Sequence, residues 1–165
     1  MPIRIVIADD HRILRAGLKN LLGTDANLDV IGEATSFEDC IQRVGELQPD
    51  ILIMDIGMPG MDGLDALPLV LAAAPQTRVL VLTMHENEEY IHEVLAAGAS
   101  GYVLKHAAAS ELVAALRAVH RGEAGLSPAI TRVVIQDYLR SEAAQPIIAS
   151  NELTPREREV LQLIA

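Results

Sequence analysis

The sequence predicts an α/β protein built on a doubly wound, five-stranded parallel sheet. Five short apolar runs alternate along the chain with five segments whose apolar residues recur at helical spacing. Strands that are apolar on both sides are typical of a parallel sheet covered by helices on its two faces. Half of the residues are hydrophobic but only 2% are aromatic, so we expect a core of aliphatic side chains.

The predicted strands cover residues 3–8, 28–32, 51–54, 79–82 and 101–104. Leucines spaced along one face between residues 14 and 22 predict the first helix. The second begins after Ser36, where Asp39 three residues later completes a capping pair. Residues 64–73, 90–97 and 112–119 supply three more helices, and Gly98 and Gly122 lie where the last two should stop.

Polar residues stand where four of these strands end. Asp9 and Asp10 follow the first strand, Asp55 the third, Thr83 the fourth and Lys105 the fifth. Singly, each has an ordinary reading as a helix cap, a turn residue or a strand end. The carboxyl ends of parallel strands meet at one edge, however, and three carboxylates crowded there repel one another unless a cation lies among them. Hard oxygen ligands favour Mg²⁺, which indicates a phosphoryl-transfer site with Asp55 as nucleophile.

Composition narrows the choice of partners and compartment. The formal net charge is −10, and neither the part before Ser127 nor the part after it is basic, so the chain lacks the electrostatic signature of nucleic-acid binding. A single cysteine excludes an internal disulfide. No signal-peptide pattern opens the chain and no apolar run approaches ~20 residues. We therefore expect a soluble cytoplasmic protein without membrane contact.

Four stretches carry a resemblance to two-component response regulators of the NarL/FixJ subclass. Three are similar to receiver domains and the last to the opening of a LuxR-type helix-turn-helix domain: VIADDHRILRAGL, DILIMDIGMPGMDGLD, VLVLTMHENEEYIHEVLAAGASGYVLK and LTPREREVLQLIA. The resemblance implies a flavodoxin-like (βα)5 receiver, then a linker helix and a truncated helical DNA-binding domain. It also implies a phosphorylation-dependent regulator of transcription rather than an enzyme.

The resemblance implies a role for each acidic residue at the sheet edge. Asp55 resembles the phosphoacceptor, which would receive its phosphoryl group from a histidine kinase or a small phosphodonor. Mg²⁺ would be held by Asp10, by Asp55 and by the backbone carbonyl of Gly57, with Asp9 assisting through water. The glycine would let the backbone approach the metal.

The resemblance likewise assigns the switch. Thr83 resembles the hydroxyl that moves onto the phosphoryl oxygens, Lys105 the lysine that pairs with them, and Tyr102 the aromatic that rotates inward, although it also reads as a half-buried strand residue. Activation would form a homodimer, through the fourth and fifth helices with the fifth strand or through the first and fifth helices. The first of these surfaces would include Glu88, Tyr90, Ile91, Tyr102 and Leu112.

Two features depart from the family pattern or suggest another site. His106 follows Lys105 where the family usually has Pro or a small polar residue, and a non-proline cis bond costs about 3 kcal/mol, which disfavours a cis Lys105–His106 bond. His11, His85 and His92 lie near the charged edge. We expect them to be helix-start or exposed residues rather than a metal site.

The tail predicts a linker and a further helical segment. We expect the receiver over residues 1–122, a linker over 123–150 with a helix at about 128–140, and the first helix of a truncated LuxR-type domain over 151–165. Thr154, Pro155 and Glu157 form the start signal of that last helix. Because no recognition helix follows, this chain should not bind a specific DNA site, and only the full-length parent would.

Two other functions remain open at this point. A phosphatase with an aspartyl nucleophile commonly has a second Asp two residues later, but Gly57 stands there. A receiver-like interaction module that works without phosphorylation is the alternative. Retention of the five polar residues at the strand ends argues against it, since a scaffold has no need of them.

Overall fold

A computed structural model of the chain describes residues 1–144. Six strands and six helices alternate through this range: β1 Ile3–Ala8, α1 Arg12–Gly23, β2 Leu28–Ala34, α2 Phe37–Leu47, β3 Ile51–Asp55, α3 Gly63–Ala73, β4 Arg78–Thr83, α4 Glu88–Ala96, β5 Gly101–Leu104, α5 Ala109–His120, β6 Gly125–Leu126 and α6 Pro128–Ala144. The alternation confirms the predicted α/β class. The helix predicted over residues 151–165 and the end of the predicted linker lie outside the described residues.

The strands form one sheet in the order β2-β1-β3-β4-β5-β6, and every pair of neighbours is parallel. The first strand therefore lies inside the sheet and the chain winds in both directions from it, as the sequence predicts. The sheet has one strand more than predicted. β6 is only two residues long and pairs Gly101 with Gly125 and Tyr102 with Leu126, so its sequence carries no periodicity to detect.

The core divides into two aliphatic layers, one on each face of the sheet. Alternate residues of β1 point to opposite layers: Ile5 and Ile7 join the layer formed by α1 and α5, while Val6 and Ala8 join the layer formed by α2, α3, α4 and α6. All five residues of β3 are buried because this central strand is covered on both sides. Asp55 thus ends the most enclosed strand of the fold.

Local sequence signals set the ends of several helices. The Ser36 side chain accepts a hydrogen bond from the Asp39 backbone N–H, which confirms the predicted start of α2. Gly98 and Gly122 follow α4 and α5 with φ of 114° and 87°, a left-handed conformation that glycine adopts without strain. Among residues 1–144 there is no cis peptide bond, so the Lys105–His106 bond is trans.

Helix α6 packs against α4 and β5, and it extends four residues beyond its predicted end. Ile130 is fully buried in the core layer of that side, and Arg140 forms an ion pair with Glu88 of α4. Three of the five residues expected on the α4–β5–α5 surface, Ile91, Tyr102 and Leu112, are buried. Leu112 belongs to the core layer of α1 and α5, whereas Ile91 and Tyr102 share the other layer with Ile130 of α6.

Candidate functional site

The carboxyl edge of the sheet brings the predicted polar residues together. Asp9 continues from β1, and its backbone N–H donates to the carbonyl of Ala34 at the end of β2. Lys105 continues from β5 in the same way, with its N–H bonded to the carbonyl of Thr83. These extensions of the parallel ladder hold the side chains at one edge, above the last residue of β3.

Asp55 is buried at the end of β3, with 5% of its surface exposed. Its Oδ1 accepts a hydrogen bond from the Gly57 backbone N–H at 2.9 Å, and its Oδ2 accepts one from Lys105 Nζ at 3.1 Å. Both oxygens are held, and Oδ2 faces the other acidic residues. The carboxylate is therefore fixed in direction but reachable from the open edge.

Asp9 is held from both its backbone and its side chain. Its Oδ1 accepts a hydrogen bond from the His11 backbone N–H at 2.8 Å and lies 2.9 Å from the His11 ring Nδ1. The Arg15 guanidinium donates to the Asp9 carbonyl at 2.7 Å. Its Oδ2 is buried and has no hydrogen bond; Lys105 Nζ lies 3.3 Å away, close enough for charge attraction but without hydrogen-bond geometry.

The charges of the site do not balance within the protein. Asp9, Asp10 and Asp55 supply three carboxylates, and Lys105 supplies one ammonium group within 3.1–3.3 Å of two of them. Three negative charges and one positive charge leave an excess of two when all four groups are ionised, which matches a divalent cation. The carboxylate oxygens of this group, one of which is buried without a hydrogen bond, fit the preference of Mg²⁺ for oxygen ligands.

Thr83 and Tyr102 meet through the loop that precedes α4. The Thr83 hydroxyl accepts a hydrogen bond from the His85 backbone N–H at 3.2 Å, and the Tyr102 hydroxyl donates to the His85 carbonyl at 2.9 Å. Tyr102 is fully buried, and this burial raises the pKa of its phenol well above the usual range. The Tyr102 side chain is therefore enclosed in the core, and the reading of Tyr102 as half-buried is wrong.

Gly57, in the loop after Asp55, and Gly63, at the start of α3, differ in whether the available space requires a glycine. A Cβ on Gly57 would meet Asp55 Oδ1 at 3.5 Å, an ordinary contact, so space alone does not require glycine there. A Cβ on Gly63 would lie 2.4 Å from both the carbonyl oxygen and Cγ1 of Ile56. The start of α3 therefore approaches the residue after Asp55 so closely that only glycine fits.

The histidines near the edge divide into two groups. His85 and His92 are exposed, as the sequence predicts, and the His85 ring stacks at a tilt against Tyr90. The His11 ring, in contrast, lies among the carboxylates: its Nδ1 is 2.9 Å from Asp9 Oδ1 and 3.2 Å from Asp10 Oδ1. Sequence reasoning assigned this residue no part in the site, although its position directly after Asp9 and Asp10 was a signal that could have revealed it.

Comparison with known proteins assigns the chain to a family. The profile of the response regulator receiver domain matches residues 5–117. The chain belongs to this family. The oxygen regulatory protein NreC of Staphylococcus carnosus is 38% identical to it over 168 residues, which cover 99% of this chain and 77% of the relative.

Solved structures agree with the assignment of this receiver. The crystal structure of a LuxR-family two-component response regulator from Aurantimonas sp. SI85-9A1 superposes with a TM-score of 0.80 at 32% identity, covering 84% of this chain and 99% of the other. The RcsB–DNA complex has a TM-score of 0.77 at 28% identity, covering 99% and 77% of the two chains. The receiver is thus of the NarL/NreC type within the two-component response regulators.

Membership of this class carries general properties. Response regulators of this kind are phosphorylated by a histidine kinase, dimerise and bind DNA, and they regulate transcription rather than act as enzymes in general. Receiver domains bind Mg²⁺ through an acidic pocket, and this chain has such a group of acidic residues. Within residues 1–144, no helix is both long and apolar enough to cross a membrane.

Proposed function

We propose that this chain is a phosphorylation switch in which Asp55 accepts a phosphoryl group from a histidine kinase. One observation carries the proposal: the Asp55 carboxylate ends the central strand, nearly enclosed, with Lys105 Nζ 3.1 Å from Oδ2 and the other acidic residues on the same side. A nucleophile held in one direction beside a fixed ammonium group is what phosphoryl transfer requires.

In the proposed reaction, Asp55 Oδ2 attacks the phosphorus atom of a phosphohistidine. A bond forms between this oxygen and phosphorus, the phosphorus–nitrogen bond breaks, and its electron pair remains on the leaving imidazole. Lys105 Nζ already lies beside Oδ2, so its ammonium group would pair with the oxygens of the transferred phosphoryl group. The Gly57 N–H would keep Oδ1 in place during the attack. Attack of water on the phosphorylated Asp55 would be the receiver's own dephosphorylation, the second of the two reactions that it would catalyse on itself.

Mg²⁺ in the acidic pocket would supply positive charge to the phosphoryl oxygens as charge shifts during transfer. Asp10 and Asp55 would be its direct carboxylate ligands, the Gly57 carbonyl would be a third, and Asp9 would contribute through water. The partly exposed Asp10 side chain and the unbonded Asp9 Oδ2 support these assignments.

Residues around the loop that precedes α4 would respond to phosphorylation by changing their hydrogen bonds. The Thr83 hydroxyl would turn from the His85 N–H toward the phosphoryl oxygens, which would loosen the loop that Tyr102 holds through the His85 carbonyl. Because α4 contacts α6, displacement of the loop before α4 would also shift α6, which lies beyond the receiver. We propose that this change controls homodimerisation and, in the full-length parent, DNA binding. The proposed domains are the receiver at residues 1–122, the linker at 123–150 and the start of the DNA-binding domain at 151–165.

Intact-mass spectrometry after incubation with acetyl phosphate and Mg²⁺ tests the proposal. We expect one phosphoryl adduct, lost in Asp55→Asn and absent when EDTA removes the metal. Asp29→Asn is the matched control, because Asp29 is an exposed aspartate of β2 away from the site. A folded protein that takes no adduct would refute the switch and favour an interaction module that works without phosphorylation.

A further inference from the structure

Strand β2 holds the Asp9 backbone on both sides. The Asp9 N–H donates to the carbonyl of Ala34, the last residue of β2. The Asp9 carbonyl accepts from Arg15 Nη1 at 2.7 Å, and Arg15 Nε donates to Glu33 Oε1 of β2 at 3.3 Å. Within residues 1–144 no backbone N–H donates to the Asp9 carbonyl, so the guanidinium is its partner. The direction of this carbonyl therefore depends on Arg15.

The Arg15 side chain is itself anchored. Only 15% of it is exposed, and the Glu33 carboxylate that it contacts also accepts a hydrogen bond from Lys19 Nζ at 3.0 Å. Hydrogen bonds from Lys19 and Arg15 lower the pKa of the Glu33 carboxyl, so this group is ionised at neutral pH. A guanidinium is planar and its donors have fixed directions, which allows Arg15 to bridge a carboxylate and a carbonyl at a set spacing.

The Asp10 carboxylate depends on the backbone that carries it. Among residues 1–144 its ion-pair partner is His11, whose Nδ1 lies 3.2 Å from Asp10 Oδ1, and 34% of the Asp10 side chain is exposed. The Asp9 carbonyl and the Asp10 nitrogen belong to one planar peptide group. A hydrogen bond on that carbonyl oxygen therefore sets the direction in which Asp10 leaves the strand.

We propose that Arg15 is a positioning residue of the receiver, which holds the Asp9–Asp10 peptide against β2 so that the Asp10 carboxylate faces Asp55. Asp10 matters in this way because it is a metal ligand in the proposed function, on which this inference rests. Arg15 contacts the backbone rather than the carboxylates, so it acts through Asp10. A ligand that is held in its binding direction beforehand loses less freedom when the cation arrives.

Charge and positioning predict opposite results when Arg15 is replaced by methionine. A guanidinium close to the acidic residues repels Mg²⁺, so the loss of its charge alone would tighten Mg²⁺ binding. Loss of the hydrogen bond to the Asp9 carbonyl would instead release the peptide and weaken Mg²⁺ binding. A contribution of Arg15 to stability alone would lower the urea midpoint and leave the Mg²⁺ affinity of the folded protein undiminished.

Calorimetric titration of the whole chain with Mg²⁺, without a phosphodonor, is the test. We expect Arg15→Met to bind Mg²⁺ about tenfold more weakly, the lower end of the losses that follow when groups orienting metal ligands are removed. Lys19→Met is the matched control, because it removes the same charge from the same helix and from the same Glu33 carboxylate but leaves the Arg15–Asp9 bond. Its Mg²⁺ affinity should change less than about twofold, since solvent and salt screen the exposed Lys19 charge.

The Asp10 backbone amide provides a readout that needs no metal. Its nitrogen shares a peptide with the Asp9 carbonyl, so its nuclear magnetic resonance signal in the metal-free protein should move in Arg15→Met and stay in place in Lys19→Met. Arg15→Lys keeps the charge and one donor group, and it should restore both the signal and the Mg²⁺ affinity in part. If Arg15→Met does not fold, Glu33→Gln takes its place, because it removes the charge that anchors the guanidinium and should change both readouts in the same direction.

Four results would overturn the proposal. They are a Mg²⁺ affinity of Arg15→Met that equals or exceeds that of the unmodified chain, an unmoved Asp10 amide signal, an equal loss of affinity in Lys19→Met, and an unmodified chain that binds no Mg²⁺. Failure of the proposed function is a different observation, namely that the folded, unmodified chain takes no phosphoryl adduct at Asp55. The titration and the amide signal do not depend on that adduct, so the two proposals can fail separately.

Discussion

Replacing Gly63 by alanine tests how the packing of α3 holds the phosphoacceptor loop. Gly63 is the first residue of α3, and a Cβ there would lie 2.4 Å from the Ile56 carbonyl oxygen and 2.4 Å from Ile56 Cγ1. Comfortable carbon contacts are about 3.5–4.0 Å, so either the helix start or the Ile56 backbone must move by on the order of 1 Å. Because Ile56 directly follows Asp55, the movement reaches the site.

The expected loss of stability follows from this overlap. Forcing a methyl group into a packed region costs about 1–3 kcal/mol, and the preference of a helix for alanine over glycine returns at most about 1 kcal/mol. We expect Gly63→Ala to lower the free energy of unfolding by about 1–2 kcal/mol. For a chain of this size that is a decrease in Tm of about 2–8 °C.

Urea unfolding followed by far-ultraviolet circular dichroism measures the change, with Gly17→Ala as the control. Gly17 lies in α1, is exposed, and a Cβ added to it would have nothing within 4 Å, so its replacement should stabilise the protein by about 0.5–1 kcal/mol. The two substitutions add the same group to a helix and should have opposite effects. If Gly63→Ala unfolds at the same urea concentration as Gly17→Ala, the reasoning from close contact is refuted.

Three further predictions test other parts of the structure. Lys105→Met removes the ammonium group beside Asp55, and we expect the metal-free protein to lose about 3 kcal/mol of stability; an unchanged urea midpoint would contradict the charge pairing. Burial raises the pKa of the Cys40 thiol to about 12, above its ordinary 9.0, so stability present at neutral pH should fall as the pH rises from about 9 toward 12. Cys40→Ala should remove that part of the alkaline loss, and equal losses in both proteins would exclude the thiol as its cause. Ile130→Ala should cost about 2–4 kcal/mol and speed hydrogen exchange in α6, whereas Arg140→Ala, which removes an exposed ion pair, should cost less than about 1 kcal/mol; equal effects would mean that buried apolar contact does not hold α6.

Much of the fold could be predicted because its signals are local. The apolar runs of β1, β3 and β4 are nearly continuous, and the Ser36 cap and the glycines after α4 and α5 lie within one turn of the helix ends that they set. The sixth strand could not be found in this way. Its two residues pair with β5 because Gly101 and Gly125 allow two backbones to approach closely, which depends on residues far apart in the chain.

The position of α6 was also beyond sequence reasoning. Its apolar residues predict a helix but do not say which surface they cover, and in the structure α6 contacts α4 and β5. Burial of Ile130 and the pairing of Arg140 with Glu88 depend on the path of the chain after β6. A helical pattern specifies that a face must be covered but does not identify the partner.

The sequence by itself determined the alternation of strands and helices and which polar residues end the strands. It also determined that these residues meet, because the carboxyl ends of parallel strands share one edge. Only the tertiary structure decided the directions and distances within that edge: the His11 ring among the carboxylates, the unbonded oxygen of Asp9 and the Tyr102 hydroxyl on the His85 carbonyl. Those features depend on side-chain rotamers and on packing between distant segments, which no local pattern encodes.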